Sequence, residues 1–380
     1  MLVDKQNMIE EWNEINKERE IAQRKLKEFE EERRKFEEMK KKLLRSTAGI
    51  KKEGDGGDDD APFETVDLKV FYTGQKTEVT KVSPVKKLQL HSGDIYCIAE
   101  SFIGDSIATC GADGFIKLFE PTRNQPYTSL KPQAANQIPT AVCFGFDNDT
   151  FISGTADKMV YLWSLSTQRV KKQFVGHSDR ISSLCFIRDM SRIVSGSQDR
   201  SIKIWDVAKG SISKTILCGS SCNSLLATAD KTRIISGHYD GSARIYSTKT
   251  GELIKSYKNL HDGSITSVNL DLDGNLLLTG SKDNSMKMID LRMDRVLSYE
   301  FRHSDYFNPS EYNKVSFCNY GHSVVAGGTD KKIYIWNSET GKIQHILEGG
   351  NEGSITGCCY NVSSGHLYTV DNKGFVVIWS

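Results

Sequence analysis

Histidine, serine and aspartate occur together at a spacing that could support nucleophilic catalysis. His177, Ser195 and Asp199 are the side-chain types of a hydrolytic triad, in which the histidine takes a proton from the serine and the carboxylate orients the histidine. A related pair recurs along the chain as His91 with Asp113, His261 with Asp283 and His303 with Asp330. An active site is not expected to recur at regular intervals. The grouping therefore predicts a repeated structural contact and not a catalytic site.

Other motifs that carry chemistry are missing from the sequence. It has no Gly-x-x-x-x-Gly-Lys-Ser/Thr loop, no Gly-x-Ser-x-Gly elbow and no His-Glu-x-x-His pair. Its 9 cysteines include no Cys-x-x-Cys pair, and Cys218 and Cys222 lack a second ligand pair at zinc-binding spacing. Cysteines among apolar neighbours are typical of reduced thiols in the cytosol. We therefore expect no enzymatic activity, no catalytic residue, no cofactor and no metal site.

The charge of the whole chain is almost balanced. Its 380 residues contain 50 Lys plus Arg and 49 Asp plus Glu, a formal net charge of +1. A protein that coats nucleic acid would be strongly basic, so we expect no nucleic-acid partner. No apolar run of about 18 residues occurs, and the first residues are charged where a signal peptide would be apolar. We therefore expect neither a membrane-spanning segment nor secretion.

Three segments of unlike composition follow one another. Residues 1–47 are rich in Glu, Lys and Arg and carry an apolar residue at every seventh position from Met8, which favours one long helix or coiled coil. Residues 48–66 have the composition of an acidic flexible linker, and residues 67–380 form the predicted globular body. Basic residues interrupt half of the helical seam, so docking on a partner is favoured over self-association. The expected contact residues of the helix are Trp12, Ile15, Leu26 and Phe29.

The body repeats one pattern seven times, with a period near 43 residues. Each copy has short apolar strands separated by turn residues. The copies close on Phe119, Trp163, Trp205, Tyr246, Ile289, Trp336 and Trp379. An aspartate stands six residues before the closing residue in the first six copies, whereas the seventh has Lys373 there and Asp371 two residues earlier. These anchors predict an all-β, seven-bladed WD-repeat propeller preceded by the N-terminal α-helix or coiled coil.

The shared polar residues of the repeat predict a contact that fixes the shape of each blade. In WD-repeat blades a histidine before the first strand, a serine or threonine on the second, the turn aspartate and the closing tryptophan can form a buried hydrogen-bonded chain. Buried polar groups are tolerated only when they are all paired. In the third copy this predicted tetrad consists of His177, Ser195, Asp199 and Trp205.

The seventh copy lacks a fourth strand of its own, because only Ser380 follows its closing Trp379. Residues 85–90, just before His91, match the position of residues 170–175 before His177 in the third copy. We therefore predict that residues 85–90 complete blade seven and close the ring without a free edge. Residues 66–82 either add an edge strand or cover a rim, and the sequence leaves both open.

One rim of the predicted propeller is the candidate partner-binding surface. Contacts to partners usually come from the loops around the central channel. By the repeat register, the residues on or near this rim are Asp179, Arg180, Gln198, Arg200, Tyr239, Lys282 and Lys331. We expect this rim to bind peptide or protein ligands.

The third, fourth and fifth copies contain less generic motifs. These are Arg-Ile-Val-Ser-Gly-Ser-Gln-Asp-Arg at 192–200, Gly-Ser-Ser-Cys-Asn at 219–223, Ile-Ser-Gly-His-Tyr-Asp at 235–240, Thr-Gly-Ser-Lys-Asp-Asn at 279–284 and Ile-Asp-Leu-Arg at 289–292. The combination resembles the propeller of the autophagy-related protein 16-like family. The resemblance covers residues 85–380 and is most specific within residues 176–292. An N-terminal helix followed by a propeller agrees with the order of elements in that family.

The resemblance implies a non-catalytic scaffold. Members of the family hold autophagy-related protein 5, itself conjugated to a ubiquitin-like protein, through an N-terminal helix, and dimerise through a coiled coil. Their complex directs lipidation of a second ubiquitin-like protein on autophagosomal and endolysosomal membranes, and the propeller recruits partners. The resemblance therefore implies a cytoplasmic protein that associates indirectly with those membranes. The helical part of this chain is short for both a binding helix and a long coiled coil.

Two other kinds of propeller protein fit part of the pattern. A short helix before a seven-bladed propeller also resembles the G-protein beta subunit, whose helix pairs with a small gamma chain. The opening of the fourth copy and the Asp-Leu-Arg ending of the fifth do not point to that subunit. A corepressor-type propeller is a third alternative, although Lys40, Lys41 and Lys42 form the only basic cluster suggestive of nuclear targeting.

Overall fold

The structure, a computed structural model, describes the propeller part of the chain. The described residues are 82–101, 106–121, 128–131, 137–147, 149–308, 310–318, 321–361 and 364–380. The predicted helix, the predicted acidic linker and residues 67–81 lie outside this part, and so do the candidate helix contacts Trp12, Ile15, Leu26 and Phe29.

The described residues contain 28 β-strands in seven antiparallel sheets of four strands. Strand β1 is Pro84–Gln89. Blade one consists of β2 (Ile95–Glu100), β3 (Ile107–Gly111), β4 (Ile116–Phe119) and β5 (Thr128–Leu130). Blade two consists of β6 (Pro139–Phe144), β7 (Thr150–Thr155), β8 (Val160–Ser164) and β9 (Arg169–Phe174). Blade three consists of β10 (Ile181–Phe186), β11 (Arg192–Ser197), β12 (Ser201–Asp206) and β13 (Ser211–Leu217).

The remaining blades follow the same order of strands. Blade four consists of β14 (Cys222–Ala227), β15 (Arg233–His238), β16 (Ala243–Ser247) and β17 (Leu253–Tyr257). Blade five consists of β18 (Ile265–Leu270), β19 (Leu276–Ser281), β20 (Met286–Asp290) and β21 (Arg295–Phe301). Blade six consists of β22 (Ser316–Cys318), β23 (Ser323–Gly327), β24 (Ile333–Asn337) and β25 (Ile343–Leu347). Blade seven consists of β26 (Ile355–Tyr360), β27 (Leu367–Asp371), β28 (Phe375–Trp379) and the early strand β1.

The sheets are arranged in a closed ring. The first strand of each blade, called here the inner strand, contacts the inner strand of the next blade, and β26 of blade seven contacts β2 of blade one. Each sheet runs from its inner strand outwards in the order of the chain, except that β1 takes the outermost place in blade seven. The all-β, seven-bladed propeller predicted from the repeat is confirmed.

Strand β1 pairs antiparallel with β28. Pro84 is the Cα partner of Trp379, and Gln89 is the partner of Phe375. At the far end of the pair, the Leu90 amide donates to the Gly374 carbonyl across 2.9 Å. Leu88 and Leu90 pack in the cluster between blades seven and one. The structure thus places the closing strand at 84–89, against the 85–90 predicted from sequence.

The hydrophobic core lies between adjacent blades. One cluster joins Ile152, Val160 and Phe174 of blade two to residues of blade three such as Leu184 and Trp205. Adjacent blades approach so closely that the second strand needs glycine where the neighbouring inner strand crosses it. A Cβ on Gly196 would lie 2.5 Å from Sγ of Cys222, and one on Gly237 would lie 2.4 Å from Cγ2 of Ile265. This explains why glycine recurs near the end of the second strand.

The turn between the second and third strands has a left-handed backbone in every blade. The residue five before the closing residue has a positive φ in all seven copies, namely Gly114, Lys158, Arg200, Gly241, Asn284, Lys331 and Gly374. Glycine and asparagine adopt this conformation readily, whereas other side chains cost roughly 1–2 kcal/mol there. Arg200 (φ 64°) and Lys331 (φ 69°) therefore hold strained positions at the rim.

Candidate functional site at the channel mouth

The predicted tetrad of blade three forms a continuous hydrogen-bonded chain. Nδ1 of His177 lies 2.7 Å from Oδ2 of Asp199, and Nε2 of His177 lies 2.7 Å from Oγ of Ser195. The indole N–H of Trp205 donates to the same serine oxygen across 2.8 Å. All donors are satisfied when the imidazole is neutral, with Nδ1–H donating to the carboxylate and the serine O–H donating to Nε2.

The electrostatics of the tetrad agree with this arrangement. Burial lowers the pKa of His177, which favours the neutral ring, despite the nearby Asp199 carboxylate. Burial also acts to raise the pKa of Asp199, but hydrogen bonds from Ser201, the Ser178 amide and His177 outweigh it and lower that pKa to about 2. Ser195 is 0% exposed and is enclosed by its two partners. A nucleophile in this position could not reach a substrate, so the geometry supports a structural role for the trio.

The same contact recurs in other blades with small changes. In blade one His91 bonds Asp113 (2.9 Å) and Thr109 (3.0 Å), and in blade five His261 bonds Asp283 (3.0 Å) and Thr279 (2.9 Å). In blade two Gln137 replaces the histidine and donates to Asp157 across 2.7 Å. The recurrence shows that the contact belongs to the blade and not to one site.

In blade seven a displaced aspartate joins the same two segments by hydrogen bonds. Asp371 stands two residues before the usual position, yet its carboxylate accepts the amides of Lys373 and Phe375 in the turn (2.9 Å each). Its other oxygen accepts the amides of Glu352 (3.1 Å) and Gly353 (3.0 Å), before the inner strand. Asp371 therefore connects the same two segments that Asp199 connects in blade three.

Blades four and six depart from the pattern. In blade four His238 comes from the second strand, and its Nε2 lies 2.8 Å from Oγ of Ser236. In blade six the expected pairing of His303 with Asp330 is wrong. Asp330 instead accepts the hydroxyl of Tyr334 across 2.6 Å, while Nδ1 of His303 accepts the Asp305 amide across 3.2 Å. Tyr334 and Tyr306 are buried in this blade, and their aromatic packing takes the place of the polar chain.

A recurring backbone hydrogen bond positions the rim residues. The amide of Gln198 donates to the Arg180 carbonyl (3.1 Å), that of Tyr239 to Ser221 (3.0 Å) and that of Lys282 to Ser264 (3.0 Å). Each bond joins the turn after the second strand to the segment that leads into the inner strand. In these three blades the turn and the connection are thus held together at one end of the blade.

At this end, side chains from blade three and from the connection before blade six meet across the channel. Arg180 bonds Glu311 and donates to the Tyr312 hydroxyl across 3.1 Å. Nζ of Lys282 lies 3.3 Å from Oε1 of the same Glu311. Tyr312 stacks on Tyr96 of blade one, with ring centroids 4.4 Å apart. We call these residues, with Lys314 below them, the channel mouth.

Charge at the channel mouth is unevenly compensated. Burial acts to raise the pKa of Glu311, but Lys282 and Arg180 outweigh it and hold that pKa below its usual range. Lys314 donates to the Thr266 carbonyl across 3.2 Å, and burial lowers the pKa of its ammonium group. Among the channel-mouth residues, Arg180 and Lys282 both pair with the single carboxylate of Glu311. The space enclosed there is about 10 Å³, room for about one water molecule.

The structure brings together only part of the predicted rim. Arg180 and Gln198 line the small cavity, and Lys282 binds Glu311. Asp179, Arg200 and Lys331 are exposed, Tyr239 is 61% exposed, and none of the four lines this cavity. Sequence reasoning missed Tyr96, Glu311, Tyr312 and Lys314. The longest step of the repeat, 47 residues between Ile289 and Trp336, marks the connection that supplies three of them.

The opposite end of the channel has a second, more apolar cavity of about 200 Å³. Phe146 and Leu272, both partly exposed, stand at its edge, with Arg188 and Asp271 beside them. Within the described ranges, no cluster of three or more His, Cys, Asp or Glu side chains could hold a metal ion. No helix in the same ranges is long and apolar enough to cross a membrane.

Five segments of the chain match the family model described as WD domain, G-beta repeat, at residues 82–120, 124–164, 168–206, 251–290 and 304–337. The copies that close on Tyr246 and Trp379 are unmatched, although the structure shows complete blades there. These are the blade with the unusual histidine and the blade with the displaced aspartate.

Several curated proteins are similar to this chain over most of its length. Protein tipD of Dictyostelium discoideum is 29% identical over 71% of this chain and 44% of its own length. Autophagy-related protein 16 of Arabidopsis thaliana is 28% identical over 77% of this chain and 57% of its own length. Autophagic-related protein 16.2 of Caenorhabditis elegans is 24% identical over 77% and 55%, respectively. The matched part of this chain thus spans about half the length of these relatives.

Proposed function

This chain belongs to the WD-repeat family, and from that premise we propose that it is a non-catalytic scaffold of the autophagy machinery. Its propeller recruits protein partners, and its N-terminal segment holds the homologue of autophagy-related protein 5 with its ubiquitin-like conjugate. The assembly directs lipidation of a second ubiquitin-like protein to autophagosomal or endolysosomal membranes. The protein itself is cytoplasmic and reaches those membranes through its partners.

The observation that carries this proposal is the similarity to relatives named for autophagy. Two of them bear the names autophagy-related protein 16 and autophagic-related protein 16.2, and each matches 77% of this chain. The motifs at 192–200 and 219–223, which led to the same family, lie in blade three and at the start of blade four. Both motifs take part in contacts of the described propeller, including Ser195, Asp199 and Asn223.

The geometry favours binding over catalysis. The most reactive-looking trio, His177, Ser195 and Asp199, is enclosed and holds the blade together. By contrast, Arg180, Gln198 and Lys282 converge at one end of the channel, where a ligand can approach. A rigid ring that presents charged and aromatic side chains at one end is typical of a protein-interaction platform.

Co-purification of the full chain from its native cells tests the proposal. We expect the tagged chain to retain the autophagy-related protein 5 homologue and its ubiquitin-like conjugate. A fourfold variant, Trp12→Ala with Ile15→Ala, Leu26→Ala and Phe29→Ala, should lose them because it removes the apolar contacts expected of the segment. A matched control replaces the neighbouring polar residues Asn13, Lys17, Gln23 and Lys27 with alanine and should retain them.

The outcome also separates the alternative families. Retention of a small helical chain in place of the conjugate would indicate a G-protein beta-like subunit. Retention of neither by the full chain would remove the proposed role in holding the conjugate. Equal loss by the apolar variant and its polar control would contradict the assignment of Trp12, Ile15, Leu26 and Phe29 as contacts.

A further inference from the structure

Arg180 and Glu311 join opposite sides of the propeller. Arg180 precedes the inner strand of blade three, whereas Glu311 lies in the connection from β21 to β22, before blade six. Their ion pair therefore spans the channel instead of joining neighbouring strands. The carboxylate also contacts Lys282 of blade five. The ion pair is not required by the repeat, because among the described residues no other blade supplies an equivalent pair to the channel mouth.

The site around Glu311 has the form of a carboxylate receptor. The guanidinium group of Arg180 offers several N–H donors in a fixed plane, which matches the geometry of a carboxylate, and Lys282 adds a second positive charge. Lys314 lines the same small cavity, where its side chain donates to the Thr266 carbonyl across 3.2 Å. Without the Glu311 carboxylate, the Arg180 and Lys282 cations would lie at the channel mouth with no carboxylate between them.

An aromatic wall borders this receptor on one side. Tyr312 stacks on Tyr96, and the Arg180 guanidinium carbon lies 5.9 Å from the centroid of the Tyr312 ring. Stacked rings offer a flat surface on which an aromatic or apolar group next to an acidic residue can pack. The combination of a cationic receptor and an aromatic wall suits an acidic peptide better than a free inorganic anion.

Glu311 is placed so that it can be exchanged. Its connection, residues 302–315, is the longest between consecutive blades. Its side chain keeps 32% of its surface exposed, and that of Arg180 keeps 35%. Ion pairs with this degree of exposure are weak in net free energy, because water competes for both partners. An incoming carboxylate could therefore replace the Glu311 carboxylate without breaking the fold.

We propose that the channel mouth binds an acidic side chain of a partner peptide, and that Glu311 occupies the same receptor in the free protein as an internal competitor. Arg180 and Lys282 bind the carboxylate of the ligand, and the Tyr96–Tyr312 pair contacts its neighbouring residues. The inference rests on the proposed scaffold function and specifies the chemistry of the ligand that the propeller takes.

Two labelled peptide pools test the proposal on the full chain. One is a fluorescein-labelled nonapeptide pool with glutamate at the centre and mixed residues on both sides, and the other has glutamine at the centre. Fluorescence anisotropy at low salt measures binding to the wild type and to Glu311→Gln. We expect the variant to bind the glutamate pool about tenfold more tightly than the wild type does, and about tenfold more tightly than the glutamine pool.

In the Glu311→Gln background, Arg180→Met and Lys282→Met should each remove most of the tenfold preference for the glutamate pool, because each removes a cation that meets the carboxylate. Thermal unfolding of every variant establishes that it is folded. Glu339→Gln and Arg188→Met, at turns away from the channel mouth, are the matched controls and should behave as the wild type. Equal affinity of Glu311→Gln for the two pools, or binding of the glutamate pool by Glu311→Gln no tighter than by the wild type, would overturn the proposal.

The two proposals fail separately. If Glu311→Gln shows no preference for the glutamate pool while the full chain retains the conjugate, only the ligand assignment falls. If the preference is found but the conjugate is not retained, the acidic-peptide site stands and the autophagy role falls. Co-purification of the conjugate with the control variant Glu339→Gln should be unchanged, because the proposed contacts to the conjugate lie in residues 1–47.

Discussion

The indole N–H of Trp205 donates to the hydroxyl oxygen of Ser195 across 2.8 Å, and the same oxygen lies 2.7 Å from Nε2 of His177. One buried hydroxyl therefore serves two ring nitrogens from different parts of the blade. Equivalent threonines in blades one, five and seven are Thr109, Thr279 and Thr369. The position therefore requires a hydroxyl group, which either serine or threonine supplies, and substitution of Ser195 tests this requirement.

Ser195→Ala should destabilise the propeller by about 1–3 kcal/mol, because it leaves Nε2 of His177 and the Trp205 indole N–H buried without a partner. Chemical denaturation monitored by tryptophan fluorescence measures the loss. Ser195→Thr keeps the hydroxyl and should lose less stability than the alanine variant. If the alanine and threonine variants unfold at the same denaturant concentration, the hydrogen bonds do not contribute as described.

Closure of the ring through β1 predicts a difference between two apolar residues on that strand. Leu88 packs in the cluster between blades seven and one, whereas Val85 is 64% exposed. Leu88→Asp should lower the thermal unfolding midpoint strongly, because it places a charge against an apolar cluster. Val85→Asp serves as the control and should change the midpoint little. Equal effects of the two substitutions would contradict the packing of β1 against β28.

The stability of blade four should depend on pH through His238. Burial, with Arg244 nearby, lowers the pKa of His238 from 6.5 to about 4. Between those values the unfolded chain binds a proton that the folded chain does not, so stability falls as the pH drops through this window. The expected total is about 3 kcal/mol. Thermal unfolding of the wild type from pH 7 to pH 4 should therefore show a steeper decline than that of His238→Gln.

His322→Gln is the matched control for this measurement, because the His322 side chain is 70% exposed. Its stability should follow the same pH dependence as the wild type. The stability of His238→Gln should depend less on pH than that of either the wild type or His322→Gln. If all three proteins lose stability in parallel as the pH falls, the burial argument is refuted.

The strained turn at Arg200 predicts an unusual stabilising substitution. Its φ of 64° is a conformation that glycine adopts without strain, and blades one, four and seven have glycine at the equivalent position. Arg200→Gly should raise the free energy of unfolding by up to about 1 kcal/mol, and Arg200→Val should lower it, because a branched side chain is the worst fit to a left-handed backbone. Guanidinium titration of both variants checks the sign. A stabilising valine would show that φ does not control this turn.

The sequence was sufficient for the parts of the fold that repeat. The step of 41 to 47 residues and the turn aspartates led to the seven blades, and the match between residues 85–90 and 170–175 led to the closing strand. Both predictions depend on residues that recur at fixed positions. A copy that departs from the pattern is therefore still recognised from its spacing to the regular copies. The hydrogen bonds of His177, Ser195, Asp199 and Trp205 follow from the same regularity.

Features that occur once were not predictable in this way. His303 and Asp330 have the spacing of a pair, but Tyr334 takes the aspartate in blade six and no sequence rule indicates that competition. The channel mouth depends on Glu311 and Tyr312, which lie in the 302–315 connection between blades. Their contacts join opposite sides of the ring, and nothing in the local sequence around Arg180 specifies a partner so far along the chain.

Because β1 pairs with β28, blade seven cannot be completed during synthesis until both strands have been made. On the ribosome β1 emerges before every other strand that the structure describes, and β28 emerges last. At typical synthesis rates the interval between them is about 15 to 60 s. Throughout that interval the apolar Leu88 and the strand around it lack their native partner, and other nascent chains can compete for them. We therefore expect the newly made chain to depend on chaperones until β28 has left the ribosome.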